Sequence, residues 1–378
     1  MRVLITGGAG FIGSRLALIL SGAGHDVTII DNLSPQIHGV RATFPHELAL
    51  AARCIFGDVR DLDNLRPLLA ECEVLVHLAA ETGTGQSMYA VERYAQVNLL
   101  GTANLMEIAA NGGAPQLRKI VVASSRAIYG EGQYHCEHHG VIYPPPRDAE
   151  SKRRGQFDPV CPACLGEITM MPTSEAAPAS PQSFYGLTKL HQEQSFLMFG
   201  ATLGIDAIAL RYQNVFGPGQ SLNNPYTGIL AVFSNLAREG LPINVFEDGR
   251  ESRDFVYVDD VVEATYRCVE MDLKGCSVFN VGSGVETTVL DVAEKISRFF
   301  ASESTITVTG SFRVGDIRRN VADLTRIESA LEFSPKFGFD EGLRRFLSWA
   351  SNANTGGSAY EGSLEELRSR GLLQGVKQ

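Results

Sequence analysis

The fold prediction rests on the segment Arg2-Val3-Leu4-Ile5-Thr6-Gly7-Gly8-Ala9-Gly10-Phe11-Ile12-Gly13. Its first five residues form a short apolar run typical of a buried strand, and an apolar helical pattern follows the last glycine. Glycines between a strand and a helix permit a tight turn, a close approach of the backbone to a pyrophosphate and close helix packing, while the helix N-terminus attracts phosphate. The segment therefore predicts a dinucleotide-binding βα unit.

A second apolar run, Asp26-Val27-Thr28-Ile29-Ile30, ends in Asp31. An acidic residue about twenty positions after the glycines accepts hydrogen bonds from the ribose hydroxyls of adenosine. A carboxylate at this point repels a 2′-phosphate, and no arginine follows in Asn32-Leu33-Ser34. The sequence therefore predicts NAD rather than NADP, held by Gly7, Gly10, Phe11, Ile12, Gly13, Asp31 and Asn32.

Further apolar runs alternate with helical patterns along the next part of the chain. Strands are predicted at 54–58, 74–79, 119–123 and 206–210, and helices at 90–110 and 185–203. This alternation predicts an α/β fold with a doubly wound parallel sheet, in which ligands bind at the carboxyl ends of the strands. At those ends we expect cofactor contacts from Asp58, Val59, Leu78, Ala79 and Ala80, although Asp58 would equally suit the cap of the helix that begins near Leu62.

Length and charge restrict the classes of partner. The 378 residues suffice for one large domain or two closely joined ones. A formal net charge of -10 without a basic stripe argues against a nucleic-acid partner. No segment approaches the roughly 18 consecutive apolar residues of a membrane helix, and the first apolar run is a strand rather than a signal peptide. We expect a cytoplasmic enzyme with neither nucleic-acid nor membrane partners.

Tyr185 and Lys189 lie four residues apart in a predicted helix, so that they share one face. A nearby ammonium group favours the phenolate, which predicts that Lys189 lowers the pKa of Tyr185 from about 10 towards neutrality. A tyrosine tuned in this way is suited to act as a general base. An isolated pair of this kind is more often a surface feature, but the dinucleotide-binding unit favours a catalytic role here.

Beyond residue 217 the pattern loosens into loops and shorter helices, predicted at 290–300 and 342–349. We expect 218–350 to be mainly a smaller substrate-binding domain, 1–132 and 169–217 to form the cofactor domain, 133–168 to be an insertion and 351–378 to be a tail. Arg253 and Arg313 are candidate diphosphate contacts, because a guanidinium group donates paired hydrogen bonds. Either arginine would equally suit a surface salt bridge.

Eight motifs occur in order along residues 1 to about 350, and together they resemble the extended short-chain dehydrogenase/reductase family. They are the glycine segment Thr6 to Gly13, Gly57-Asp58-Val59, His77-Leu78-Ala79-Ala80, Asn98-Leu99-Leu100-Gly101-Thr102, Ser124-Ser125, the pair Tyr185 and Lys189, Leu210 to Gly219 and Arg253 to Asp260. The resemblance implies a Rossmann-type domain, bound NAD with a contact from Asn98, a nucleotide-diphosphate sugar as substrate, and a homodimer formed through the helices at 92–110 and 185–203.

The resemblance also implies roles for single residues. Ser125 would hydrogen-bond the sugar 4-oxygen, Tyr185 would be the base, Lys189 would tune it and bind the nicotinamide ribose, and Asn214 and Arg253 would contact substrate. Family members that are 4,6-dehydratases carry Asp-Glu directly after the serine or threonine, where this chain has Arg126-Ala127. This departure favours a 4-epimerase, with Arg126 near the substrate. A nucleotide-sugar 4-keto reductase shares the same residues.

The segment 133–168 contains Cys136-Glu137-His138-His139 and Cys161-Pro162-Ala163-Cys164. Two ligand pairs of short spacing are typical of a zinc ribbon, so we predict a structural zinc held by Cys136, His139, Cys161 and Cys164. His138 would serve in place of His139. The alternatives are a loop with free thiols and a Cys161/Cys164 redox pair.

The insertion and the segments around it most resemble a bacterial subgroup that acts on dTDP-L-rhamnose. The resemblance implies interconversion of dTDP-L-rhamnose and dTDP-6-deoxy-L-talose, with UDP-hexose or UDP-hexuronate 4-epimerisation as the alternative. Thr84 and Ser87, in the small-residue loop after the fourth strand, are candidate substrate contacts or simply members of a turn.

Overall fold

The fold was analysed in a computed structural model that describes residues 1–40, 42–222, 224, 226, 228–353 and 360–376. The strands are β1 Arg2–Thr6, β2 Asp26–Asp31, β3 Arg53–Phe56, β4 Val74–His77, β5 Lys119–Ser125, β6 Tyr134–Cys136, β7 Gly140–Ile142, β8 Thr169–Met170, β9 Asp206–Tyr212, β10 Asn214–Phe216, β11 Ile243–Val245, β12 Ser252–Tyr257, β13 Cys276–Val281, β14 Glu286–Thr288, β15 Ile306–Val308, β16 Phe312–Arg313 and β17 Leu373–Gln374.

The helices lie between these strands and at the C-terminal end. They are α1 Gly13–Gly22, α2 Pro35–His38, α3 His46–Ala51, α4 Leu62–Glu71, α5 Thr84–Ser87, α6 Val91–Tyr94, α7 Gly101–Ala110, α8 Ala149–Arg153, α9 Phe184–Leu203, α10 Ile229–Glu239, α11 Val258–Glu270, α12 Val289–Phe299, α13 Thr325–Leu331, α14 Phe339–Asn352 and α15 Tyr360–Ser369. A π-helical turn, Ala95–Leu100, joins α6 to α7, so the helix predicted at 90–110 is one continuous stretch with an irregular middle.

The central sheet has seven strands in the order β3-β2-β1-β4-β5-β9-β13, and all its pairs are parallel. Every residue of β4 and β5 is buried, as expected for parallel strands with helices on both faces. The strand order reverses between β1 and β4, and such a switch point opens a crevice at the carboxyl ends of the strands. The predicted doubly wound α/β fold is confirmed.

The sheet domain extends past the predicted boundary at residue 217. Its last strand, β13, pairs along its full length with β9, and α11 packs on the same side as α1. Residues 258–281 therefore belong to the cofactor domain. Without β13, the backbone N–H and C=O groups along one edge of β9 would have no partners. The remaining C-terminal elements form small sheets, β10-β12-β14, β11-β15 and β16-β17.

The insertion folds as a three-stranded antiparallel sheet, β7-β6-β8, with α8 in the loop between β7 and β8. Two ion pairs attach it to the C-terminal elements. Arg147 donates to Glu247 at 2.8 Å, and the fully buried Arg318 donates to the exposed Asp158 at 2.8 Å. None of the helices in the described part of the chain combines the length and apolar composition that crossing a bilayer requires.

Candidate active site

A cavity of about 540 Å³ lies at the carboxyl ends of the sheet strands and extends to the C-terminal elements. Most predicted site residues line it. They are Gly7, Gly10, Phe11, Ile12, Gly13, Asp31, Asn32, Asp58, Val59, Leu78, Ala79, Ala80, Thr84, Ser125, Arg126, Tyr185, Lys189, Asn214, Arg253 and Arg313. The part nearest the glycine turn is the cofactor half, and the part lined by Arg126, Arg253 and Arg313 is the substrate half.

The cofactor half is closed by backbone. Gly7 has φ +69°, and a Cβ atom there would lie 2.8 Å from the backbone N of Ala79. A Cβ on Gly13 would lie 2.5 Å from the carbonyl oxygen of Gly7. Only glycine fits such close approaches, so this cradle suits the pyrophosphate that the sequence predicts.

Asp31 and Asp58 lie at the adenosine end of the cofactor half. Asp31 accepts hydrogen bonds from the backbone N–H groups of Ala9 at 3.0 Å and Leu33 at 2.9 Å, which fixes its carboxylate beside the glycine turn. Burial raises the pKa of Asp58, but hydrogen bonds from Arg60 and Asn32 outweigh burial and hold the pKa at about 2. The carboxylate is therefore charged at neutral pH.

Asp58 does not cap the helix α4. Asp61 does so, because its side chain accepts from the N–H of Asp63. Of the two interpretations of Asp58 that the sequence left open, the helix cap is wrong.

The reactive hydroxyls lie where the two halves meet. Ser125 is the last residue of β5, and Tyr185 lies in the first turn of α9, which Ser183 caps by accepting from the N–H of Gly186 at 3.1 Å. Burial raises the pKa of Tyr185, whereas a hydrogen bond with Ser125 and the charge of Arg126 lower it. The end of β5 and the start of α9 thus place two hydroxyl groups in the wall of the same cavity.

The expected effect of Lys189 on Tyr185 is wrong for this structure. The pKa of Tyr185 is raised overall, because burial dominates. The ammonium group of Lys189 donates to Gln192 Oε1 at 2.7 Å, and burial lowers its own pKa to about 7. The cation that favours the phenolate is Arg126, which the sequence placed only near the substrate.

Two predicted contacts, Ser87 and Asn98, do not line the cavity. Ser87 is fully buried and its Oγ accepts from the backbone N–H of Tyr185 at 3.0 Å, so that it positions the start of α9. Asn98 lies in the π-helical turn and donates to Thr188 Oγ1 at 2.9 Å and to the carbonyl of Glu81 at 3.1 Å. Both are supports of the site rather than ligand contacts, since each uses its polar atoms inside the protein.

The substrate half collects three arginines from separate segments. Neither Arg253 nor Arg313 forms an ion pair with any described residue, so the surface salt-bridge interpretation is wrong for both. Burial and the neighbouring Arg253 lower the pKa of Arg126 to about 9, which leaves the group charged at neutral pH. Guanidinium groups that share one cavity and form no ion pair within the described chain are suited to bind a diphosphate.

Tyr360 and Glu251 are among the lining residues that the sequence did not predict. Tyr360 comes from the segment predicted to be a tail, and it is 5% exposed. Glu251 is 4% exposed, and burial raises its pKa to about 8, with a further contribution from the charge of Glu247. The one available signal was the position of Glu251 two residues before Arg253 in a recognised motif.

The insertion brings the four predicted metal ligands together. Their ligand atoms all lie within 4.8 Å of one another. Cys136 Sγ lies 3.6 Å from His139 Nδ1 and 3.8 Å from Cys164 Sγ, and Cys161 Sγ lies 3.5 Å from His139 Nδ1. Ligands around a tetrahedral zinc stand about 3.8 Å (S to S) and about 3.5 Å (S to N) apart, so the cluster has the dimensions of such a site. His139, not His138, belongs to it.

Comparison with known proteins agrees with this geometry. The NAD dependent epimerase/dehydratase family matches residues 3–149 and 163–282. The chain belongs to this family. The unmatched residues 150–162 lie inside the insertion.

Curated relatives and solved structures cover nearly the whole chain. A dTDP-L-rhamnose 4-epimerase of Burkholderia thailandensis is 37% identical over 92% of this chain and 94% of its own length. A UDP-glucose 4-epimerase of Mycolicibacterium smegmatis is 32% identical over 93% of this chain and 99% of its own. The structure of a Thermus thermophilus UDP-glucose 4-epimerase in complex with NAD is 27% identical, has a TM-score of 0.72 and covers 94% of this chain and 100% of its own. The family and the glycine cradle agree on NAD as the cofactor.

Proposed function

We propose that the chain is an NAD-dependent nucleotide-sugar 4-epimerase. The observation that carries the proposal is the position of Ser125, at the end of β5, and Tyr185, in the first turn of α9, in the wall of one cavity with the cofactor half and the substrate half. The next two residues are Arg126 and Ala127, neither of which is a carboxylic acid that would eliminate water from the sugar ring. Reversible oxidation at C4 needs one acid/base group, and the site supplies one.

Bound NAD supplies a reversible hydride acceptor at C4 of the sugar. Tyr185 takes the proton of the 4-hydroxyl as C4 is oxidised and returns it when the 4-keto group is reduced on its opposite face. Ser125 hydrogen-bonds the same oxygen and holds it beside the phenol. Because hydride and proton are both returned, the reaction consumes no external oxidant or reductant.

Within this class we propose dTDP-L-rhamnose and dTDP-6-deoxy-L-talose as the substrate pair. The support is the 37% identical relative of that name together with the cysteine-containing insertion. The second candidate is a UDP-hexose, which the 32% identical UDP-glucose 4-epimerase favours. The substrate half serves either nucleotide, since its arginines address the diphosphate common to both.

The test is incubation of purified protein with a panel of dTDP- and UDP-sugars, without added cofactor, followed by chromatographic separation of C4 epimers. We expect dTDP-L-rhamnose to convert to its C4 epimer at the highest kcat/KM. Stoichiometric consumption of added NADH with a 4-keto sugar, and no epimer formed without it, would instead identify a 4-keto reductase.

We also propose that the cluster of Cys136, His139, Cys161 and Cys164 binds one structural zinc. Four protein ligands leave no open coordination position for water or substrate, so the metal stabilises the insertion and takes no part in the reaction. We expect metal analysis of the purified protein to give one zinc per chain. Absence of zinc after preparation without chelator would contradict the proposal.

A homodimer is the proposed assembly, formed through α6, α7 and α9. The helices α6 and α9 and the π-helical turn carry exposed apolar side chains, among them Val91 at 44%, Leu100 at 48%, Leu187 at 51% and Met198 at 58%. A second copy would bury them. Light scattering should give twice the chain mass, and Met198→Glu should reduce it to the mass of one chain.

A reducing compartment, the cytoplasm, is the proposed location. All seven cysteines are free, which suits such an environment. We also propose that residues 1–132, 169–217 and 258–281 form the cofactor-binding domain and that the other elements of 218–350 form the substrate-binding domain.

A further inference from the structure

The C-terminal helix α15 forms a wall of the substrate half. Its first residue, Tyr360, lines the cavity together with Arg313 and Phe246. The strand that follows α15, β17, pairs antiparallel with β16, and in that pairing Arg313 lies opposite Leu373. The C-terminal segment therefore holds Arg313 both through its backbone and from inside the cavity.

Tyr360 fixes the guanidinium group of Arg313. The two side chains line the same part of the cavity and interact electrostatically, and the guanidinium carbon lies 4.7 Å from the ring centre of Phe246. Nε of Arg313 is buried and has no hydrogen-bond partner among the described residues. A buried N–H donor without a partner costs free energy, so a site that keeps one is built to receive an acceptor from a ligand.

The helix is also anchored to the segment after α5 and to Tyr226. Glu366 Oε2 accepts hydrogen bonds from Tyr89 at 2.8 Å and from Tyr226 at 2.9 Å, and the guanidinium carbon of Arg370 lies 4.3 Å from the ring centre of Tyr89. Tyr89 follows α5, whereas Arg313 belongs to the C-terminal elements. These contacts fix α15, and with it Tyr360, relative to the segment that follows α5.

We propose that α15 is a binding element for the nucleoside diphosphate, in which Tyr360 is a positioning residue that orients Arg313 towards the diphosphate. The inference rests on the proposed function, because it assigns the substrate half to a nucleotide. It adds a role for the tail: the tail completes binding of the nucleotide and leaves the chemistry at C4 to Tyr185.

The test compares Tyr360→Phe with the wild type in two measurements. The dissociation constants of UDP and dTDP, measured by calorimetry, should rise about tenfold, since the interaction of the phenol with a charged group is lost. The KM of the nucleotide sugar should rise by a similar factor while kcat stays within twofold. Tyr266→Phe removes a phenol outside the cavity and is the matched control, expected to change neither constant.

A double-mutant cycle tests whether Tyr360 acts through Arg313. If it does, Tyr360→Phe added to Arg313→Lys should weaken nucleotide binding by much less than the product of the two single effects. Additive effects, or unchanged dissociation constants in Tyr360→Phe with an unchanged melting temperature, would overturn the inference. So would a wild-type protein that binds neither UDP nor dTDP.

The two proposals fail separately. Nucleotide binding that Tyr360→Phe weakens, without turnover of any nucleotide sugar, would overturn the 4-epimerase and leave the inference standing. If Tyr360→Phe turned over the nucleotide sugar at the wild-type KM, the inference would be overturned and the 4-epimerase would stand.

Discussion

The cofactor half of the cavity is closed largely by the backbone of Gly7, Gly13 and Ala79, whereas the substrate half is lined by the side chains of Arg126, Arg253, Arg313 and Tyr360. The residues that form the cofactor half lie in one continuous segment and its neighbouring strand. The residues that form the substrate half come from four segments that are distant in sequence. A substrate preference is therefore able to change through single side chains while the cofactor cradle stays as it is.

The largest expected effect is at the boundary between the halves. Tyr185→Phe removes the proton acceptor, so kcat should fall about 10²- to 10⁴-fold. The dissociation constants of UDP and dTDP should stay within threefold, because the phenol binds neither diphosphate nor base. Turnover with synthetic nucleotide sugar and calorimetry on the same preparation measure both. A variant that kept a tenth of the wild-type kcat would remove Tyr185 from the chemistry.

Next in size is the effect of the insertion, which contacts the C-terminal elements through Arg147 and Glu247. Cys161→Ser should abolish zinc binding and lower the melting temperature by several degrees, since a structural metal contributes its binding free energy to folding. The KM for the nucleotide sugar should rise more than the dissociation constant of NAD. Cys276→Ser changes an exposed thiol outside the cluster and is the matched control. Equal zinc content in the two variants would contradict the assignment.

A smaller effect is expected from the backbone of the cofactor half. Gly7→Ala places a Cβ atom 2.8 Å from the N of Ala79 at a position with φ +69°, so NAD affinity should fall at least about tenfold. Gly22→Ala is the control, because a Cβ atom there would meet no described neighbour within 4 Å and its φ is not in the left-handed region. NAD content after gel filtration distinguishes the two. Retention of NAD in Gly7→Ala would show that the cradle has more room than its distances indicate.

The smallest expected effect depends on pH and concerns Glu251 in the substrate half. Its pKa of about 8 in the folded protein lies above the ordinary value of about 4.5, so the folded form keeps a proton that the unfolded chain releases. Stability should therefore fall as pH rises from 4.5 to 8. The groups around the carboxyl are Glu247, Arg253, Asp316 and Arg147.

Glu251→Gln has no proton to release. At pH 9 the variant should exceed the wild type by at least about 1.4 kcal/mol in free energy of unfolding, which corresponds to one pKa unit, and the difference should shrink towards pH 5.5. Denaturant titrations at both pH values measure it. Glu107→Gln, an exposed substitution, is the control. A difference that is the same at pH 5.5 and pH 9 would contradict the raised pKa.

The sequence was sufficient to predict the sheet, the glycine cradle and the pair of Ser125 and Tyr185, because each follows from local patterns along β1, β5 and α9. It failed for Ser87 and Asn98, since a polar residue near a site looks the same whether it faces the ligand or supports a neighbour. It also failed for the direction of the Lys189 ammonium group, which depends on Gln192 in the following turn. The position of Tyr360 in the cavity could not be predicted, because no local sequence pattern indicates where a C-terminal helix packs.

The position of β13 at the sheet edge has a consequence during synthesis. The strand that covers β9 ends at residue 281, about sixty residues after β10. A nascent chain that has emerged as far as Gly217 already holds the nucleotide cradle and the reactive hydroxyls, yet it presents β9 as an open edge with unpaired N–H and C=O groups. We therefore expect ribosome-bound intermediates of this length to be exposed to edge-to-edge aggregation and to capture by chaperones.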